Sequence, residues 1–343
     1  MPGKKSIKRY FVYFILLNII VAGCYSSAEE SSDVEHANII SVKDFRGKTL
    51  GFNKPAERVV CLIESALSGI YMLGAGEKVV GVPGDIYRNH LFFYYAQLDE
   101  RIGNKELVSP GNWDFVSIEQ VVGLESDLVI IWSSQTEAIS ALERFGIPVY
   151  AVMISSFEDV FKEIRDLGQI LDRNGKADSL ISYTRKKLQE LEFKASESRI
   201  KSAYFMWAQG INETSGINST VNELFWLAGL QNVCRLEQEH VTVSVEKIID
   251  WNPEMIVMWN NEKLDPLDVT NNPLLQQINA VKNKMVFELP DPFLCDLWTL
   301  KFLFSVDLIS QWSHQHPNQN STDFEQIFKF FYGKSLETNE PEL

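Results

Sequence analysis

Short apolar runs alternate with stretches in which apolar residues return every third or fourth position, from about residue 58 to residue 312. Residues 58–63, 79–82, 128–131 and 149–152 are such runs, rich in Val and Ile. Continuous apolar runs of that length suit strands of a parallel sheet covered on both faces. Between them, Ala66, Ile70, Tyr71 and Leu73 keep helical spacing and stop at Gly74 and Gly76, where helices commonly end. Phe157, Val160, Phe161, Ile164, Leu167 and Leu171 mark another helix, and a further one runs from Gly175 to about Lys194. At 1.5 Å per residue that last helix is ~30 Å long, enough to cross between two lobes. The pattern then restarts: strands at 203–207, 255–258 and 285–288, a helix over 221–227, and a closing helix over 300–312. Strands alternating with helices predict an α/β fold of two lobes with mostly parallel sheets. The boundaries fall at 44–156 for the N-terminal lobe, 157–197 for the helical segment and 198–343 for the C-terminal lobe.

An internal repeat supports two lobes. Ser117-Ile118-Glu119-Gln120-Val121-Val122 leads to Asp127-Leu128-Val129-Ile130-Ile131-Trp132, and 127 residues further on Ser244-Val245-Glu246-Lys247-Ile248-Ile249 leads to Glu254-Met255-Ile256-Val257-Met258-Trp259. Apolar positions match apolar ones without a gap. In both copies Ser-x-Glu suits a helix start, a capping hydroxyl followed by a carboxylate in the positive first turn.

The N-terminus reads as a targeting segment. Lys4, Lys5, Lys8 and Arg9 precede an uncharged apolar run over 10–22, and Val21-Ala22-Gly23-Cys24 closes it. Thirteen helical residues rise only ~20 Å, too short for a ~30 Å bilayer core. The Cys directly after small residues resembles the lipobox of bacterial lipoproteins, which implies a signal peptide over 1–23, lipidation of Cys24 and membrane attachment through that anchor. Residues 24–43 read as a flexible tether. The chain carries 32 Lys and Arg against 46 Asp and Glu, a net charge of −14. Removing 1–23 leaves 28 cations against 46 acids, or −18. So acidic a chain repels phosphate backbones, and nucleic acid is excluded as its main partner.

Several stretches carry a family resemblance. Asp44-Phe45-Arg46-Gly47-Lys48, Pro55-Ala56-Glu57-Arg58-Val59-Val60 and residues 73–82 (LGAGEKVVGV) resemble the opening of the solute-binding proteins for iron-siderophores, haem and vitamin B12. The Ser-x-Glu helix with Asp127-Leu128-Val129-Ile130, then Asn252-Pro253-Glu254-Met255-Ile256-Val257, then residues 280–286 (AVKNKMV) continue it to about residue 312. The resemblance implies two Rossmann-like lobes joined by one long rigid helix, working as a monomer outside the cytoplasm, at the outer face of the cell membrane or in the periplasm. It implies a ligand held between the lobes and handed to the permease dimer of an ABC importer: a metal chelate, a ferric siderophore first, with haem or a corrinoid as alternatives. It also assigns permease docking to Glu119 and Glu246; on residue type alone both equally suit first-turn carboxylates facing helix dipoles.

Ligands of open α/β sheets sit beyond the carboxyl ends of the strands. The candidates there are Tyr87, Arg88, Trp113, Trp132, Trp207, Trp259 and Trp298, together with Glu64 and the segment from Asp291. Aromatic walls suit a large flat or greasy chelate, and Arg88 offers a partner for an acidic group on it. Trp113, Trp132, Trp207 and Trp259 fit a cleft wall and core packing equally well. Trp226, Trp251 and Trp312, inside helical patterns, fit packing better, and Tyr94 and Tyr95 suit either. Nucleotide-binding loops, nucleophile elbows and HExxH motifs are absent, so the reading is a binding protein, not an enzyme, with no cofactor and no resident metal. An exported enzyme or chelatase on the same two-lobed scaffold and an adhesion or structural lipoprotein stay as alternatives. His314 and His316 sit in a polar loop, and the four cysteines lack CxxC spacing.

Overall fold

The computed structural model describes residues 40–88, 90–196, 199–260, 263–314 and 324–335. The signal segment, Cys24, most of the tether and His316 lie outside them. The end of the tether does not stay a tether: β1 (Ile40–Lys43) pairs antiparallel with β2 (Thr49–Phe52), because Val42, Leu50 and Phe52 find apolar cover.

The N-terminal lobe continues with β3 (Val59–Cys61), α1 (Glu64–Met72), β4 (Val79–Pro83), α2 (Leu91–Leu98), α3 (Glu100–Gly103), β5 (Val108–Gly111), α4 (Ile118–Gly123), β6 (Leu128–Trp132), α5 (Thr136–Arg144) and β7 (Val149–Val152). Its strands form one parallel sheet in the order β5-β4-β3-β6-β7. Side chains alternate between two buried faces, as continuous apolar runs require. Val60, Val129 and Ile131 meet Ile139 and Leu142 of α5 on one face, while Val59, Cys61 and Ile130 meet a larger core on the other.

Two helices follow, α6 (Phe157–Ile170) and α7 (Asn174–Ser196). The C-terminal lobe then adds β8 (Lys201–Met206), β9 (Glu213–Thr214), α8 (Thr220–Leu227), β10 (Leu230–Asn232), β11 (Val241–Thr242), α9 (Val245–Trp251), β12 (Met255–Met258), α10 (Pro266–Asn271), α11 (Asn279–Lys282), β13 (Val286–Glu288) and α12 (Phe302–Ser313). Its main sheet is parallel throughout, in the order β10-β8-β12-β13.

The sequence repeat is a structural one. Ser117 and Ser244 each accept a hydrogen bond from the third residue of their helix, Gln120 and Lys247, at 3.4 Å. The acids ahead of the strands match too. Asp127 accepts from the amides of Glu57 and Arg58 at the head of β3, and Glu254 accepts from the amide of Ser202 in β8. Each carboxylate pins the neighbouring parallel strand in register.

The long helix α7 packs against α6, α8 and α12, but it is not the only link between lobes. One face of each sheet buries into the same hydrophobic core, where Phe302 of α12 stacks on Phe157 of α6 at 3.7 Å. The segment between β13 and α12 runs into the N-terminal lobe: Phe293 stacks on Tyr94 at 4.2 Å, and the Tyr94 hydroxyl donates to Asp291 at 3.1 Å. A last helix, α13 (Phe324–Tyr332), which the apolar pattern did not announce, also leaves the C-terminal lobe. Tyr332 and Ser68 of α1 share a hydrogen bond at 2.7 Å, and the Lys334 ammonium donates to the carbonyls of Gln97 and Leu98. Tyr332 and Lys334 thus contact the N-terminal lobe.

This shared core buries ionisable groups. Glu163 of α6 is 1% exposed, and one of its carboxyl oxygens has no hydrogen-bond partner among the described residues. Burial, then the charges of Asp296 and Asp166, push its pKa up to about 8 against the opposing pull of Lys162. Asp296 is pushed up to about 7, first by burial and then by Glu64. The folded protein thus holds the Glu163 proton up to about pH 8, while the unfolded chain releases it near 4.5. Between those values the native state binds more protons, so stability falls as pH rises. Across that window the wild type is expected to lose on the order of 5 kcal/mol relative to Glu163→Gln in urea unfolding. Parallel pH profiles for the two proteins would contradict this burial effect.

Candidate functional site

Both sheets deliver aromatic residues at their carboxyl ends, and the ladder hydrogen bonds continue far enough to fix them. The amide of Ser133, just after Trp132 and β6, donates to Val152 at 2.8 Å. In the other lobe the Trp259 amide donates to Met206, and that of Trp207 to Glu213. Trp207 is 5% exposed, and its indole N–H donates to the Ser215 hydroxyl at 2.8 Å. Its ring lies 5.4 Å from Trp259, 6.1 Å from Trp298 in a stacked arrangement, and 5.2 Å from His240. Trp207 is thus the buried base on which Trp259, Trp298 and His240 rest.

Above that base a cavity of about 300 Å³ opens between the lobes. The N-terminal lobe lines it with Trp132, Ser133, Ser134, Val152, Met153 and Ile154, the ends of β6 and β7. The C-terminal lobe contributes Glu239, His240 and Trp298. Apolar wall and few polar groups are what a ligand pocket of modest size requires. Larger hollows exist, one of about 590 Å³ between the 114–118 loop and the start of α5, but it lies on a single lobe. The interlobe cavity is lined by the carboxyl ends of β6 and β7 and by Trp298, which lies against Trp207 and Trp259 at the ends of β8 and β12. Strand ends are where open α/β sheets hold ligands.

The structure sorts the sequence candidates. Trp132 and Trp298 line the cavity, Trp259 touches Trp298 from behind, and Trp207 supports both C-terminal rings. Tyr87, Arg88 and Trp113 stand outside the cavity lining. Tyr87 packs against Phe92 and donates its hydroxyl to the Leu107 carbonyl. Arg88 is exposed, and Trp113 is 61% exposed. The reason is sheet order: Tyr87 and Arg88 follow β4, two strands from β6, and Trp113 follows β5, three strands away. Strands lie ~4.8 Å apart, so these side chains start roughly 10–14 Å to one side. Trp251 and Trp312 pack as expected, against Tyr204 and Phe287, but Trp226 is 62% exposed. Tyr94 and Tyr95 are buried packing residues, Tyr95 donating to Glu64 at 2.6 Å.

Glu239 and His240, together with Met153 and Ile154, are the lining residues that sequence reasoning missed. Their only signal was a place beyond the carboxyl ends of β10 and β7. Glu239 is half-buried; burial raises its pKa, and His240 opposes the shift. Glu119 and Glu246 are both exposed in first helical turns. Hydrogen bonds from the Ser244 hydroxyl and a backbone amide hold Glu246 below the usual carboxylate range. Cys61, Cys234 and Cys295 are buried free thiols. Among the described residues no group of three or more His, Cys, Asp or Glu is arranged to hold a metal ion, and no helix is long and apolar enough to cross a membrane.

The sequence profile described as "Periplasmic binding protein" matches residues 59–293. The chain is 26% identical over 291 residues to an uncharacterized ABC transporter substrate-binding lipoprotein, YvrC, of Bacillus subtilis, covering 81% of this chain and 88% of that protein. It is 27% identical over 208 residues to a vitamin B12-binding protein of Vibrio parahaemolyticus, covering 60% of this chain and 71% of that one. An iron(3+)-hydroxamate-binding protein of Bacillus subtilis, FhuD, is 24% identical over 302 residues, 82% of this chain and 89% of its own length.

Proposed function

The chain belongs to the periplasmic binding protein family, and on that premise we propose that it captures a metal chelate in the interlobe cavity and passes it to an ABC importer. Its work is capture and hand-over, with no catalytic step. The observation that carries the reading is the aromatic-walled cavity at the strand ends of both lobes. A ferric siderophore is the first ligand. The likeness to the hydroxamate-binding protein spans more of the chain than that to the B12-binding protein. A corrinoid is the second reading, supported by the likeness to the B12-binding protein.

Native mass spectrometry with ferric hydroxamates, haem and cobalamin is the direct test. One chelate per chain is expected, quenching tryptophan fluorescence. Trp298→Ala should weaken it by roughly 1–4 kcal/mol, the range of an anchoring aromatic. Absence of any complex, or wild-type affinity in a folded Trp298→Ala protein, would overturn the cleft assignment.

Glu119 and Glu246 occupy equivalent exposed places on the two lobes, which suits a partner with two equivalent cationic sockets. We assign them to permease docking. The double variant Glu119→Ala, Glu246→Ala should bind ligand normally and lose most uptake, because lost interface charge pairs cost on the order of 1–5 kcal/mol. Normal uptake at native expression would refute the assignment.

The anchor is proposed at Cys24, supported by the charge, apolar run and small residues ahead of it and by the likeness to a lipoprotein relative. Two acyl chains hold a protein on a membrane where one does not. Cys24→Ala should therefore move the protein out of the membrane fraction and leave its N-terminus unprocessed. A mature wild type with an unmodified Cys24 would sink the proposal.

A further inference from the structure

We propose that Glu239 makes this cleft selective by charge: it takes neutral or cationic chelates and disfavours anionic ones. The inference rests on the cleft reading above and narrows it to a ligand class. Glu239 stands half-buried in the wall of the interlobe cavity, beside His240 and across from Trp132 and its neighbours on the other lobe. Among the described lining residues there is no lysine or arginine. Arg88, Arg235 and Lys263, the cations closest in sequence to the strand ends of the two sheets, are exposed and outside the lining. The rings of Trp298 and Trp132 add to the effect, since the face of an indole is electron-rich and attracts positive charge. A net charge of −14 gives the whole protein the same sign.

A carboxylate in such a wall repels each negative charge brought within a few ångströms, and the partial exclusion of water sharpens the repulsion. A chelate whose metal charge is fully balanced meets none of this. One with a free cationic group gains from Glu239 what an anionic one loses. Aromatic contact then supplies affinity, and the carboxylate supplies discrimination.

The test uses chelates of one shape and different charge. Ferrioxamine B carries a terminal ammonium; its N-acetyl form is neutral and its N-succinyl form is anionic, with the same iron centre. Cyanocobalamin and its monocarboxylate make a second such pair. Affinities for wild type, Glu239→Gln and Glu239→Lys would be measured by tryptophan quenching at low and high salt, with melting curves to establish folding. In the wild type the anionic member of each series should bind about ten-fold more weakly than the neutral or cationic one, a ratio that salt reduces. Glu239→Gln should shrink the ratio, and Glu239→Lys should abolish or invert it. Equal affinities across either series that binds, or a ratio unchanged in Glu239→Lys, would overturn the charge selection while leaving the cleft reading in place. If no member of either series binds, the cleft reading itself fails and the inference with it.

Discussion

Everything about the cleft depends on the two lobes sharing one core. One apolar face of each sheet buries into a core shared with helices α6, α7, α8 and α12, and those helices pack on each other. The segment between β13 and α12 tightens the arrangement. Phe293 lies flat on Tyr94 from one lobe while the buried Lys301 ammonium sits 3.5 Å over the Phe293 ring. Lys301 is 0% exposed and its ammonium has no hydrogen-bond partner among the described residues; burial lowers its pKa against the opposing pull of Glu64, Asp296 and Asp291. Separating the lobes would strip these rings of cover and break the bond from Tyr94 to Asp291. The C-terminal helix α13 adds a third crossing through Tyr332 and Lys334.

That constraint explains where the cavity is and what lines it. With the helical layer fixed, the residues at the carboxyl ends of β6 and β7 share a cavity with Glu239, His240 and Trp298, whose ring rests on Trp207 at the end of β8. Trp207 cannot swing, because burial and the bond to Ser215 lock its ring, so Trp298 and Trp259 are held at set distances from it. A pocket built this way pays little ordering cost when a ligand enters. Its polar content is equally restricted: Glu239 and His240 reach in from the loop after β10, whose path is fixed by bonds from Gly216 and Ile217 to the carbonyls of Gln238 and Leu236.

The sequence carried the repeat and the main strands of both sheets except β5 and β10, one edge strand of each. Runs such as Val59-Val60-Cys61 and Leu128-Val129-Ile130-Ile131 are apolar on both faces because both faces are covered, and no alternative element uses them so well. The 127-residue repeat foretold the matching caps at Ser117 and Ser244 because capping is local. Sheet order is not local. Nothing in the chain between β3 and β7 says that β4 and β5 lie on the side away from the cleft, so Tyr87, Arg88 and Trp113 looked as well placed as Trp132. Glu239 and His240 were invisible for the opposite reason: their loop has no periodicity, and only the tertiary path brings it over Trp207. Phe328 and Phe331 of α13 fill the shared core, yet they follow a polar stretch that hid the helix.

The central claim is a cleft already formed by a shared core, and the distance between the lobes tests it most directly. Spin labels at Ser140→Cys on α5 and Lys282→Cys on α11, both exposed, would report that distance by pulsed electron resonance, while the three described native thiols stay buried. A single narrow distribution is expected, moving by no more than about 2 Å when a ferric chelate binds. A broad or two-peaked distribution in the free protein, or closure by more than about 5 Å on binding, would show hinged lobes and contradict the shared-core account.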